Sequence, residues 1–145
     1  MNQPVARTSH SLGVVELRIP SKAEWVAVAR LAVAAVANRL NFSIEDIEDV
    51  KLAVAEACTN CIQHAHGSDQ IEITCETEPD SLTVRVRDYG RGTRPEAVTP
   101  RRAEEPRVGG LGVFLIRSLM DTVEYDVHPE RGTNLVMTKK VTIGT

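Results

Sequence analysis

Apolar residues between positions 43 and 65 recur as Ile47, Val50, Val54, Ala57/Cys58 and Cys61/Ile62, a helical period rather than strand alternation. Ser43, with Asp46 three residues on, is placed to cap that helix, Glu45 suits its positive end, and Gly67 ends it. An earlier helix is expected to run to about Leu40, with Ser21 as N-cap and Glu24 completing a capping box. Trp25, Val28, Ala29, Ala32, Ala35 and Val36 should turn its apolar face to a sheet, while Arg30 and Arg39 read as solvated surface.

Strand patterns flank these helices. VVELRIP at 14–20 is rich in β-formers and is stopped by Pro20, which suits a sheet edge. QIEITCETE at 70–78 turns Ile71, Ile73 and Cys75 inward, 79–81 forms a turn, and LTVRVRD at 82–88 alternates again. That is a hairpin with one buried and one wet face. A third helix is expected from the glycines at 109, 110 and 112, with Val113, Leu115, Ile116, Leu119 and Met120 as its apolar side. TVEYDVH at 122–128 and TNLVMTKKV at 133–141, joined by PERG, make a second hairpin. Helices covering one face of a mixed, mostly antiparallel sheet amount to a two-layer α+β sandwich.

Composition narrows the picture. The 145 residues suit a flexible tail at 1–13 and one domain at 14–145. A net charge of −3 without a basic tract argues against direct nucleic-acid binding. No run of roughly 18 apolar residues points to a membrane, and the first residues lack the apolar core of a signal peptide, so a cytoplasmic location is expected. Three cysteines fit a reducing compartment better than a disulfide scaffold.

Candidate chemistry sits at three places. Glu56 and Asn60, four residues apart, share one helical face; a carboxylate and a carboxamide so placed can act as a base and as an oxygen ligand for a hard cation such as Mg²⁺. D-Y-G-R-G at 88–92 puts glycines two apart after a strand, where the backbone turns sharply or approaches something closely. From 93 to 108 no periodicity survives, with Pro95, Pro100 and Pro106 among charges, as in lids or disordered segments. The glycines that follow leave helix N-terminal N–H groups bare, which suits a phosphate. C-T-N-C at 58–61 matches a redox spacing, and His64 adds a third metal-type donor. Reactive pairs sit at helix N-termini, however, and these lie mid-helix on the apolar stripe, so packing is the favoured reading.

In order, these segments resemble the ATP-binding domain shared by gyrase, MutL and sensor histidine kinases. E-A-C-T-N at 56–60 is similar to its N box, D-Y-G-R-G to its first glycine box, G-G-L-G at 109–112 to its second, and Gly132–Thr133 to the segment near its end. The resemblance spans 14–140. N-C-I-Q-H-A-H and G-G-L-G-V-F-L-I-R-S-L-M-D are most like the small bacterial anti-sigma-factor serine kinases. His10, in a polar tail, is discarded as a phosphoacceptor.

That resemblance implies a histidine-kinase-like fold and an ATP- and Mg²⁺-dependent protein serine/threonine kinase acting in transcription regulation under stress. It would sequester a sigma factor and phosphorylate its antagonist, an anti-anti-sigma protein of the STAS type. Apart from the resemblance, the free edge that VVELRIP offers makes a homodimer the expectation. Asn60 would ligate Mg²⁺, Glu56 would be the base toward the acceptor hydroxyl, and Asp88 would accept from the adenine amino group. Gly90 and Gly92 would pass close to base and ribose, Gly110, Leu111 and Gly112 would face the phosphates, and Thr133 would support the adenine pocket. The lid would be 93–108. Cys58 and Cys61 stand where small aliphatic residues are expected, Arg91 is bulky for a glycine box, and Arg107 lies one residue early for a basic lid contact. Some relatives bind ATP as a switch and phosphorylate nothing; the presence of both Glu56 and Asn60 favours the kinase.

Overall fold

Alternation along two central strands builds the floor of the molecule. In the computed structural model, which describes residues 13–64, 69–89, 108–128 and 132–142, strand β2 (Gln70–Glu78) buries Ile71, Ile73, Cys75 and Thr77. Strand β3 (Ser81–Asp88) buries Leu82, Val84, Val86 and Asp88 opposite them, in a register that pairs Ile73 with Val86 and Cys75 with Val84. Strand β1 (Gly13–Pro20) adds Leu17 and Ile19 beside Ile73 and Ile71. On the other side of β3 comes β5 (Gly132–Lys140), which matches Met137 to Val84 and Leu135 to Val86, and then β4 (Thr122–His128). The order is β1-β2-β3-β5-β4, with β1 at an edge as its proline suggested, and all four pairings are antiparallel.

Helices α1 (Val26–Ala37), α2 (Ile44–His64) and α3 (Val108–Leu119) cover one face of this sheet. α2 lies between the other two, packed on both, and its Val50, Ala53, Val54, Ala57 and Cys58 meet the sheet residues in one core. Each fully buried Ile or Leu of that core contributes about 2 kcal/mol in apolar transfer. Ser43 caps α2 as the sequence predicts, its Oγ accepting the Asp46 N–H at 3.0 Å. Among the described residues no helix is long and apolar enough to cross a membrane.

Two expectations for α1 are corrected. Ser21 does not cap it: a 3-10 turn, Ala23–Trp25, precedes the helix, and the residue ahead of that turn makes no side-chain capping bond. The Ser21 N–H donates instead to the Asp69 carbonyl at 3.0 Å, continuing the β1–β2 pairing beyond Pro20 and Gln70. The buried stripe is also rotated. Ala29, Val33, Val36 and Ala37 face the core, whereas Trp25 and Val28 are 40% and 41% exposed and Ala35 is exposed too. In VAVARLAVAAVA only Arg30 is charged, so the pattern leaves the phase of the helix open and packing against α2 decides it.

Lys139 ties three elements together. Its half-buried Nζ donates to the Leu119 carbonyl at the end of α3 at 2.6 Å and lies 3.6 Å from Asp49 and 3.9 Å from Asp46 on α2. A cation at a helix C-terminus satisfies an otherwise orphaned carbonyl. Lys139→Met is expected to lower unfolding free energy by about 1–2 kcal/mol in a urea titration, whereas Lys51→Met, which removes an i,i+3 surface pair with Glu48, should change it by less than about 0.5 kcal/mol.

Burial pushes the Cys75 thiol from 9.0 to about 11. The folded state therefore keeps a proton that the unfolded chain has lost, and stability falls as pH rises between those values. Comparison of the wild type with Cys75→Ala by chemical denaturation from pH 8 to 11 should show this: the variant loses a downward slope approaching about 1.4 kcal/mol per pH unit.

Candidate functional site

β3 ends on an inward position, and the residue there is Asp88, a carboxylate with 0% exposure. Its cross-strand partner on β5 is the buried Thr133. The residue before that threonine, Gly132, has φ +96°, and a Cβ there would lie 2.1 Å from the Asp88 carbonyl oxygen and 3.0 Å from its Oδ1. The backbone of β5 thus passes directly over the aspartate, an approach open to glycine alone. In the helical layer Cys61 is buried; burial first, and the charge of Asp88 second, hold its thiol well above its usual range.

One residue back on α2, Asn60 is 6% exposed and its carboxamide packs on α3 at Gly112, where a Cβ would lie 2.9 Å from Oδ1 and 3.1 Å from Nδ2. The Asn60 Nδ2 is buried without a hydrogen-bond partner. Such an atom costs about 1–3 kcal/mol in a folded protein, and its presence calls for a reason such as a bound ion or ligand. The two amide atoms are interchangeable by a flip, so the same position can offer an oxygen, the donor type that hard cations take. Glu56 sits one turn earlier on the same side of α2 and is half-buried. The first turn of α3, through Gly110 and Leu111, brings its N-terminal N–H groups to this end of the molecule. A phosphate with its cation fits that set: carboxamide, carboxylate, bare amides and two glycine-lined approaches.

Of the residues singled out from sequence, Asn60 therefore meets Gly112 and Asp88 pairs with Thr133, Glu56 shares the helix face of Asn60, and Gly110 and Leu111 are placed by their backbone. Gly90, Gly92, Arg91, Arg107 and the lid up to residue 107 lie outside the described residues. Cys58 and Cys61 are buried free thiols mid-helix, and burial pushes Cys58 up to about 12, which makes for inert sulfur. The side chain of His64 lies outside the described residues.

Sequence reasoning missed one feature. Gly132 reads from the sequence only as half of a Gly-Thr pair, yet its positive φ goes with a close approach of β5 to the Asp88 backbone. The glycine that closes PERG is the available signal.

An open cleft of about 250 Å³, lined by Arg18, Gln70, Glu72 and Tyr89, lies elsewhere, on the face of the sheet turned away from α1, α2 and α3. There Glu72 accepts from Tyr89 at 2.7 Å and from Arg18 at 3.3 Å, and Arg87 stacks 4.6 Å from the Tyr89 ring centroid. The bond to Glu72 raises the Tyr89 phenol above its usual value.

Comparison with known proteins places this arrangement. The histidine kinase-like ATPase domain family matches residues 19–139. The serine-protein kinase RsbW of Listeria monocytogenes serotype 4a is 43% identical over 138 residues, covering 88% of this chain and 87% of that protein. RsbW of Bacillus cereus is 40% identical, with coverage of 88% and 84%. Among solved structures, the RsbU and RsbW domains of a Mycobacterium tuberculosis protein superpose with a TM-score of 0.69 at 13% identity, covering 92% of this chain and 34% of that longer one. The histidine kinase domain of a blue-light activated kinase from Erythrobacter litoralis gives 0.54 at 20% identity, covering 85% of this chain and 62% of that one. At these identities the two structures show a shared fold.

The two glycine contacts should differ in cost. Gly132→Ala meets rigid backbone at a positive φ and is expected to destabilise by about 3 kcal/mol or more. Gly112→Ala meets the tip of one side chain and gains helix propensity, so it should melt within a few degrees of wild type by circular dichroism.

Proposed function

Because the chain belongs to the histidine kinase-like ATPase domain family and aligns with RsbW serine-protein kinases along most of its length, we propose that it is an anti-sigma factor and an ATP-dependent protein serine/threonine kinase. It sequesters a sigma factor and phosphorylates a serine or threonine of that factor's antagonist, a small STAS-type protein. The two partners exclude one another. One observation carries the catalytic part of this reading: the buried Asn60 carboxamide, its Nδ2 without a hydrogen-bond partner, packed on Gly112 with Glu56 one turn away.

Bound Mg-ATP supplies the phosphoryl group and the cationic charge that offsets it. The chain's own residues bind and orient. Asp88, with Thr133 beside it, accepts from the exocyclic amino group of adenine, while Gly90 and Gly92 let the backbone pass close to base and ribose. Gly110, Leu111 and Gly112 turn amides to the phosphates at the positive end of α3. Asn60 offers its carboxamide oxygen to Mg²⁺. A Glu56 carboxylate oxygen takes the proton from the incoming serine or threonine hydroxyl, which fits a reaction in which positioning and charge neutralisation do most of the catalysis.

The same reading makes residues 14–145 one ATP-binding domain, with a lid at about 93–108 and a flexible tail at 1–13. It places the protein in the cytoplasm with its sigma factor. Two copies pair through β1, and the support is that β1 is an edge strand with exposed Val14 and Val15; an unpaired edge is a ready template for a second chain.

Labelled ATP with Mg²⁺, added to host-cell extract, is expected to mark one small protein. Glu56→Ala should bind ATP normally and slow the transfer by about 10²–10⁴-fold, and Asn60→Ala should lose Mg-dependent binding. ATP binding by the wild type without any labelled protein would instead point to a nonphosphorylating switch.

A further inference from the structure

Asp88 is the last residue of both ladders that β3 makes, paired with Ile71 on β2 and with Thr133 on β5. Tyr89 continues the chain beyond the strand, without a ladder partner. Strand ends open at low free energy, so the ladder alone is a weak hold on a carboxylate that has to meet a base.

Tyr89 adds a hold from the opposite face of the sheet. Its hydroxyl donates to Glu72 on β2 at 2.7 Å, the short length of a hydroxyl on a carboxylate. Glu72 accepts in turn from the Arg18 Nε of β1 at 3.3 Å, and Arg87 lies over the Tyr89 ring, 4.6 Å from its centroid. Tyr89 is nevertheless 56% exposed, so core packing does not account for the arrangement.

We propose that Tyr89 is a positioning residue for adenine: clasped to Glu72 on the face turned away from the helices, it fixes the last peptide of β3 and so the direction in which Asp88 presents its carboxylate on the helical face. Successive side chains of a strand point to opposite faces, and one planar peptide unit joins the two residues. A hold on Tyr89 therefore acts directly on Asp88. Keeping the acceptor in place before binding removes part of the ordering cost of the complex. The inference rests on the assignment of Asp88 to the base.

The test is equilibrium calorimetry with Mg²⁺, comparing ADP with purine riboside 5′-diphosphate, which lacks the amino group. Wild type, Tyr89→Phe, Glu72→Ala, the double variant and Asp88→Ala are measured, each checked by thermal melting; Asp88→Val serves if the alanine variant fails to fold. Tyr89→Phe removes one oxygen from an exposed side chain and should melt within a few degrees of wild type. It is expected to bind ADP about two- to fivefold more weakly, as for one partly solvated hydrogen bond, with no change toward the analogue. Glu72→Ala should weaken ADP binding to the same extent and the double variant no further, because both changes remove one contact.

Three results would overturn the proposal: ADP binding by Tyr89→Phe that matches wild type, equal losses for both ligands, or losses that multiply in the double variant. The base assignment would still stand if Asp88→Ala had lost the preference for ADP. If that variant keeps the wild-type preference, or the wild type binds no ADP, the base assignment itself fails and the inference with it.

Discussion

Burying a carboxylate costs several kcal/mol unless its oxygens are met by donors, and Asp88 sits at the end of a central strand with no exposed surface. The parts around it follow from that constraint. β5 must carry glycine at position 132, because its backbone crosses over the aspartate more closely than any Cβ allows. α2, apolar along Val50, Val54 and Cys58, turns polar at Asn60. The sheet that elsewhere packs Ile, Leu and Val against the helices ends on the buried polar pair Asp88 and Thr133.

A second close approach sets the other wall. Gly112 lets α3 come near enough to α2 for the Asn60 amide to fill the space a side chain would have taken. The amide is then held by packing on regular elements rather than on a loop, and such support keeps a ligating group within the tolerance that catalysis demands. Lys139 secures the same helix at its far end, bridging the last turn of α3 to the acidic first turns of α2. α3 is thus tied to α2 at both ends.

The two-layer fold leaves one face of the sheet wet, and its residues show it: Arg18, Glu72 and Arg87 lie side by side across β1, β2 and β3. On the helical side α1 and the turn before it expose apolar surface at Trp25, Val28 and Leu31, the last 66% exposed. Asp88 and the wet residues stand at the same strand ends but on opposite faces of the sheet.

The helix around Glu56 and Asn60, the two hairpins, the edge position of β1 and the order of the glycine segments could all be read from the sequence. Each rests on local physics: a period of 3.6 or 2, a proline, a serine ahead of an acidic turn. The phase of α1 could not, because a stretch with one charged residue in twelve looks apolar all round and only its neighbours choose a side. Ser21 carried a genuine capping signal, but strand pairing took its N–H first. Residue types at the candidate site were visible for the same local reason, as a carboxylate and a carboxamide one helical turn apart. The meeting of Asn60 with Gly112, and of Asp88 with Gly132, was not, since those contacts join positions tens of residues apart. The sequence by itself determined which elements form and which chemistry they carry. The tertiary structure alone decided which of those groups touch, because side-chain convergence depends on sheet register and helix packing, which no local period encodes.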